Sequence, residues 1–429
     1  MIKNKQRGSQ IFLFFTMILP FSVNAESLNT AWNIALDVDH SLKAVQQNTA
    51  AAQQQLEAAK AVRLPGVSLT AGYTALDNTP ALKANLGGSS IELPIAENNS
   101  LSYNVMATLP LYTSGRISSG IDSAEASFRA SQTFESSKVQ NLKLKIAEAF
   151  VNVLRSIRSL EVADSHVDSL KSHASDVENL HTQGMVSRND LLSAQVALAD
   201  AQQNAIKAKN ILDIAYSAYN RFLNRPLNQI VTLDNLQPES FDSTLETLTE
   251  QALRQSHELL ALQNQIQALR HQVAGIRSQT GPQLALNGGY GFQENQYQAY
   301  EEQWSINLGL QWKLFDGGII KHKASATNRQ AMSLQEQYDD MRTTISLQVR
   351  QYWLDIQETH KRIKVTENAI AQAEENLKVN RDRYENGLST NTEVLDAESL
   401  RTRSKNNHSN ALYDAVLAAL HLKRTLSEL

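Results

Sequence analysis

The sequence YENGLSTNTEVLDA (residues 384–397) ends one long run of helix-forming residues and starts another. Residues 319–386 contain neither glycine nor proline, so they predict a single helix, roughly 100 Å long at 1.5 Å per residue. Gly387 can adopt the left-handed conformation that commonly ends a helix, and Thr390 can cap the helix that follows. This stretch therefore predicts a rod that turns sharply and returns.

The same turn occurs 203 residues earlier, in HTQGMVSRNDLLSA (residues 181–194). Gly184 corresponds to Gly387, and a second run without glycine or proline precedes it. Farther upstream, PGVSLTAGY (65–73) corresponds to PQLALNGGY (282–290) with an offset of 217 residues. Two matching halves with the same plan indicate a tandem duplication.

Four segments alternate apolar and polar residues with period two, as strands do when one face meets an apolar environment. These segments are residues 65–76, 100–112, 282–293 and 303–315. Each has about the length of a tilted membrane strand, and its polar face is small and hydroxylic. The pattern also leaves open a half-buried sheet of a soluble protein. Because about eight strands are needed to close a membrane barrel, the membrane interpretation requires several chains to share one barrel.

The loops between paired strands are predicted to differ in length. The offset between the two halves falls from 217 to 203 across the segment 77–98, so the first half carries 14 extra residues there. We expect a longer loop at this end of the strands in the first half than at 294–301 in the second.

Apolar residues recur every seven positions toward the ends of both predicted rods. One series is Ile356, Ile363, Ile370 and Leu377, and its counterpart in the first half is Val153, Leu160 and Val167. A seven-residue period predicts left-handed supercoiling against neighbouring helices.

The first 25 residues predict a secretory signal peptide. Lys3, Lys5 and Arg7 precede an apolar core at 11–23, and Val-Asn-Ala at 23–25 fits a cleavage site. Its removal leaves 37 of the 40 basic residues against 44 acidic residues, a net charge of −7, which argues against nucleic acid as a partner. The chain has no cysteine, which excludes disulfides and thiolate metal sites.

The duplicated plan of helix, two strands and two helices, together with YENG (384–387), HTQG (181–184) and EVLDA (393–397), resembles the TolC-like outer-membrane efflux channels of Gram-negative bacteria. The resemblance implies a mixed α/β membrane protein that forms a homotrimer. Four strands from each chain would form one shared 12-stranded β-barrel, continued by a long α-helical coiled-coil barrel that extends into the periplasm.

The resemblance also implies a function. The protein would be the exit duct of a tripartite efflux pump or a type I secretion system, without enzymatic activity or a cofactor. Its partners would be a periplasmic adaptor (membrane fusion) protein, an inner-membrane transporter and outer-membrane lipid. Whether the substrate is a drug, a metal ion or a secreted protein stays open.

The predicted organisation has a signal peptide, two repeats and a linker. The ranges are 1–25 for the signal peptide; 26–224 for the first repeat, with long helix 116–183 and return helix 190–223; 225–244 for a linker that forms an equatorial collar; and 245–429 for the second repeat, with long helix 319–386 and return helix 392–428.

Carried over by position, the resemblance implies three groups of residues at the periplasmic tip. Glu393 and Asp396 would form the pore constriction, and Asp190, Tyr384 and Arg188 a closed-state lock. The adaptor-contact tips would be Gly184, Met185, Val186, Gly387, Leu388 and Ser389. A well-known member has a lock arginine where this chain has Ser389, which predicts either a weaker closed state or the use of Arg188 or Arg383 instead.

The residues alone also allow plainer interpretations. Glu393 and Asp396 could simply complement a helix dipole, and Tyr384 could simply pack. His166 and His173 lie two helical turns apart, about 10 Å, too far to share a metal ion, so they are interpreted with His181 as solvated surface residues.

One alternative function is a secreted coiled-coil adhesin or structural fibre, which would explain the rods. It predicts no tandem duplication with paired lipid-facing strands. No constellation of residues indicates an enzyme.

Overall fold

The computed structural model describes residues 25–429, so the predicted signal peptide lies outside the described residues except for Ala25. The described part has eight α-helices and six β-strands. The helices are α1 Leu28–Val38, α2 His40–Ala61, α3 Arg116–Thr182, α4 Arg188–Phe222, α5 Leu245–Gln255, α6 His257–Arg277, α7 Ile319–Glu385 and α8 Asn391–Thr425. The strands are β1 Gly66–Ala75, β2 Ala81–Leu86, β3 Ser89–Pro94, β4 Asn99–Tyr112, β5 Gln283–Gln293 and β6 Glu302–Gln311.

The two halves of the chain match in the lengths of their helices. The long helices α3 and α7 each have 67 residues, and the return helices α4 and α8 each have 35. Each long helix begins after a glycine in the left-handed region, Gly115 with φ 91° and Gly318 with φ 86°. A side chain at either position would be strained, so glycine fixes where both rods begin.

Four strands form one antiparallel sheet in the order β1–β4–β5–β6. Register pairs Leu69 with Val105, Val105 with Tyr290, and Tyr290 with Trp304. The apolar residues of all four strands therefore share one face, as the alternation predicts. This face is exposed in a single chain, with Leu69 and Trp304 among its exposed side chains. Strands β1 and β6 are the two edges of the sheet.

The segment 77–98 differs from the predicted loop because it contains the separate hairpin β2–β3. Gly87 and Gly88 both have positive φ, which suits the two-residue type I′ turn that joins twisted strands. Asn295 from the second half holds the base of the hairpin, since its side-chain amide donates to the carbonyl of Ile95 at 3.0 Å. The insertion therefore forms a hairpin whose base is held by Asn295 of the other repeat.

The long helices form one layer with a defined order. Toward the turns α3 packs on α4 and α8, and α8 packs on α7, which gives the order α4–α3–α8–α7. Toward the sheet the order is α2–α3–α6–α7, the same as that of the strands to which these helices connect. Within residues 25–429 no helix combines the length and apolar content needed to cross a bilayer.

Three apolar clusters hold the helices together. The first lies near the middle of α3, where Phe150 packs edge-on against Tyr219 with ring centroids 5.8 Å apart. Glu26 joins this region because it accepts hydrogen bonds from Tyr219 at 2.6 Å and Arg225 at 2.7 Å. The second cluster links α5 and α6 with α7 and α8, and the third lies beside the turns.

Candidate functional site at the helical turns

Both turns have the same backbone conformation and hydrogen-bond pattern. Gly184 and Gly387 have φ of 72° and 68°, in the left-handed region. The amide of Met185 donates to the carbonyl of Leu180 at 2.9 Å, and the amide of Leu388 donates to that of Arg383 at 2.8 Å. These bonds satisfy the last carbonyls of α3 and α7 as in a Schellman motif. The return helices then restart with side-chain caps.

The cap of α4 uses the carboxylate of Asp190. Ser187 accepts from the Asp190 amide at 3.1 Å, while Asp190 accepts from the Ser187 amide at 3.2 Å and from its hydroxyl at 2.7 Å. At the start of α8 the hydroxyl of Thr390 accepts from the Glu393 amide at 3.3 Å. The Asp190 carboxylate is therefore engaged within its own helix start.

The predicted adaptor-contact tips lie at the end of the molecule. Met185 and Leu388 occupy equivalent positions after the two glycines, with 64% and 68% of their surface exposed. Gly184 and Gly387 are exposed, whereas Val186 is half-buried and packs on the third apolar cluster. Each turn therefore exposes one large apolar side chain at an equivalent position.

The two predicted constriction acids lie on the exposed side of α8. Glu393 and Asp396 are exposed, while Val394 and Ala397 between and beside them are buried in the third cluster. The Ser389 hydroxyl donates a hydrogen bond to Glu393 and holds the pKa of that carboxyl below its usual range, with further contributions from the Thr390 backbone and Arg383. Ser389 is therefore a hydrogen-bond donor to Glu393 of the same chain.

The predicted lock residues are not joined to one another by a hydrogen bond in the single chain. Tyr384 is buried against His173, with ring centroids 5.5 Å apart, and its hydroxyl has no hydrogen-bond partner within residues 25–429. Burial and the nearby charge of Asp190 raise the pKa of Tyr384. Arg188 is exposed, and Arg383 donates to the carbonyl of Leu388 at 3.1 Å, which ties the end of α7 to its own turn.

The interpretation of the histidines as solvated surface residues is wrong for His166, whose side chain is 17% exposed and faces Glu398, and for His173, which is only 4% exposed. Its Nε2 lies 2.7 Å from the side-chain oxygen of Asn391, whose amide donates to the carbonyl of Asp190 at 3.2 Å. His173 thus faces α8 rather than water, and burial lowers its pKa. Within the described residues no group of three histidines, aspartates or glutamates could hold a metal ion.

A second buried polar group was missed by the sequence analysis. Glu398 of α8 is fully buried and contacts Ser169 of α3 and Arg381 of α7. Its position was open to inference, because it lies seven residues after Asn391 and four after Val394, on the inward face of α8.

Comparison with known proteins agrees with this architecture. The family model described as outer membrane efflux protein matches residues 32–225 and 248–428. Outer membrane protein TolC of Vibrio cholerae is 24% identical over 420 residues, which cover 96% of this chain and 93% of that protein. Alkaline protease secretion protein AprF of Pseudomonas aeruginosa is 24% identical over 300 residues, 67% of this chain and 61% of that protein.

Among solved structures, the outer membrane protein VceC of Vibrio cholerae has the same fold. The TM-score is 0.79 at 18% identity, and the alignment covers 93% of this chain and 96% of that one. The family match includes both strand pairs and all four long helices, and it extends over most of the chain. The chain therefore belongs to the outer membrane efflux protein family.

Proposed function

We propose that this protein is the outer-membrane exit duct of a tripartite efflux pump or type I secretion system, built from three copies of the chain. The observation that carries the proposal is that the strand layer and the helix layer have open edges on the same sides. Strand β1 and helix α4 bound the first half, while β6 and α7 bound the second.

The edges of the sheet support closure between copies. A membrane strand cannot leave its backbone groups unpaired in lipid, so β1 and β6 need partners. Head-to-tail pairing of β1 with β6 of the next copy is antiparallel, like every other pair in the sheet. Such heterologous contacts close into a ring, and three copies give twelve strands.

The helices offer a matching contact between copies. Ile206 of α4 lies 22 residues after Gly184, and Val365 of α7 lies 22 residues before Gly387. Because both are counted from equivalent turns, they lie at the same height, and both are largely exposed, at 70% and 67%.

A second pair repeats this relation closer to the turns. Leu192 lies eight residues after Gly184 and Val379 eight residues before Gly387, and both are exposed. The two pairs are 14 residues apart, which is two heptads of a left-handed coiled coil. We call these four residues the inter-copy seam.

The tip supports a partner on the side opposite the barrel. Met185 and Leu388 expose apolar surface at the far end of the helices, and a periplasmic adaptor joined to an inner-membrane transporter is the partner that this position fits. In a trimer Glu393 and Asp396 would contribute six carboxylates beside this end.

The name of AprF refers to protease secretion, so a protein substrate and a small-molecule substrate are both compatible with the family. The fibre alternative is not supported.

Labelling of single cysteines tests the orientation of the duct, and the absence of native cysteine removes background. Ser90→Cys, in the β2–β3 hairpin, should react on intact cells with a bulky maleimide that cannot cross the outer membrane. Met185→Cys, at the tip, should react only after that membrane is permeabilised. The reverse pattern, or equal reaction of both on intact cells, would contradict a duct with one end outside and the other in the periplasm.

A further inference from the structure

The buried carboxylate of Glu398 connects three helices near the tip. The hydroxyl of Ser169 in α3 donates a hydrogen bond to Glu398. Arg381 of α7 donates one hydrogen bond to Glu398 and another, at 2.5 Å, to the Ser169 hydroxyl oxygen. Arg401 of α8 lies 3.0 Å from the second carboxylate oxygen, and Nδ1 of His166 of α3 lies 3.7 Å from it. We call these five residues the Glu398 cluster.

The cluster stabilises the negative charge of Glu398 in a buried position, where burial alone would favour the neutral carboxyl. Burial alone would raise the pKa of Glu398, but His166, Ser169 and the two guanidinium groups hold it below its usual range. The carboxylate is therefore ionised and tied to α3 and α7 by directed contacts. Charge-assisted hydrogen bonds of this kind fix geometry more strictly than apolar packing does.

The consequence for α8 is a fixed rotation about its own axis. Asn391 and Glu398 are seven residues apart on one face, and both are anchored, Asn391 to His173 and Glu398 to its cluster. At about 100° per residue, Asp396 lies roughly 200° from Glu398 and Glu393 roughly 140° from it. Anchoring the inward face therefore directs the two acids to the opposite, exposed face.

We propose that Glu398 is a positioning residue that sets the rotation of α8 and thereby directs Glu393 and Asp396 toward the entrance of the duct. The inference rests on the proposed function, in which those two acids surround the entrance. It assigns to a buried ion-pair cluster the role of aligning the charges that meet the substrate or a cation.

The test is Glu398→Gln, which keeps the size of the side chain and removes its charge. In a planar bilayer, block of the purified channel by a trivalent cation should weaken about tenfold in this variant, although Glu393 and Asp396 are present. Arg381→Gln, which removes one tie at a partly exposed position, should weaken the block in the same direction and covers the case in which Glu398→Gln fails to assemble.

The matched control is Asp414→Asn, which alters the same chemistry elsewhere on α8. Asp414 pairs with Arg155 of α3 at 2.6 Å and with Arg362 of α7, and it lies 16 residues from Glu398, roughly 24 Å along the helix. The control should lower thermal stability without changing the block. If Asp414→Asn weakens the block as much as Glu398→Gln does, general loosening of α8 explains the effect and the proposal fails.

A second readout separates this proposal from the assignment of the entrance acids. Spin labels at Thr392→Cys report the distances between the three copies of α8 by electron paramagnetic resonance. The distance distribution should be narrow in the parent and broader after Glu398→Gln, whether or not the parent is blocked by cations. An unchanged distribution together with an unchanged block would overturn the positioning role. An unblocked parent with a broadened distribution would instead count against the ring of acids.

Discussion

Replacing Glu393 and Asp396 together with alanine should weaken block of the channel by a trivalent cation by about 100-fold, with the trimer intact. In three copies the change removes six carboxylates from one narrow entrance, where crowded like charges produce a strong negative potential that attracts multivalent cations. Both side chains are exposed, so their removal should cost little folding free energy. Conductance of the purified channel in a planar bilayer measures the block.

The chain provides a matched control just before the same turn. Asp382 and Glu385 are also exposed and three residues apart, but they lie at the end of α7. Asp382→Ala combined with Glu385→Ala removes the same number of charges and should leave the block within a few-fold of the parent. Equal loss in both double variants would mean that overall charge, rather than a ring formed by Glu393 and Asp396, attracts the cation.

Replacing Ile206 and Val365 together with glutamate should abolish the trimer. If the inter-copy seam is correct, each contact between copies would bury two facing carboxylates, and an unpaired buried charge costs about 3–5 kcal/mol. Summed over the three contacts of a trimer, this cost exceeds the free energy that could hold the copies together. Native mass spectrometry of the detergent-extracted protein measures the copy number.

Charge exchange distinguishes a seam from general damage to the helices. Ile206→Glu combined with Val365→Lys places opposite charges at the same height and should recover much of the trimer that the two glutamates destroy. A trimer that survives with both glutamates would show that α4 and α7 do not meet between copies. Loss of the trimer in both combinations would show that the two residues do not face one another.

Much of the architecture could be predicted because it repeats. The glycines 184 and 387, the seven-residue apolar series and the period-two strands are local patterns, and their recurrence at a constant offset separates them from chance. The family match and the fold of VceC confirm the resemblance and the fold class. Ile356 and Leu377 of the predicted series are buried, and the apolar faces of the four strands coincide.

What the sequence could not show depends on contacts between distant segments. His173 was interpreted as a solvated surface residue because it cannot share a metal ion with His166, but Asn391, 218 residues later, supplies a partner inside the helix layer. Glu398 was not singled out from the sequence, because its partners Ser169 and Arg381 come from the distant helices α3 and α7. The hairpin at 81–94 was predicted as a loop because its strands are short. The contact that holds its base comes from Asn295 of the other repeat, which the local sequence does not reveal.

Cross-linking of the two edge strands tests the shared barrel most directly. Leu69 of β1 and Leu308 of β6 are exposed and three strands apart in one sheet, roughly 14 Å, so both can be replaced by cysteine in a chain that has none of its own. A short bismaleimide should convert the purified double variant into a covalent product of three chains and nothing larger. The mass of the cross-linked product should also show that each chain begins at Glu26, as expected after removal of the predicted signal peptide at residues 1–25. A product that stays monomeric, or a ladder that continues beyond three chains, would contradict a barrel shared by three copies.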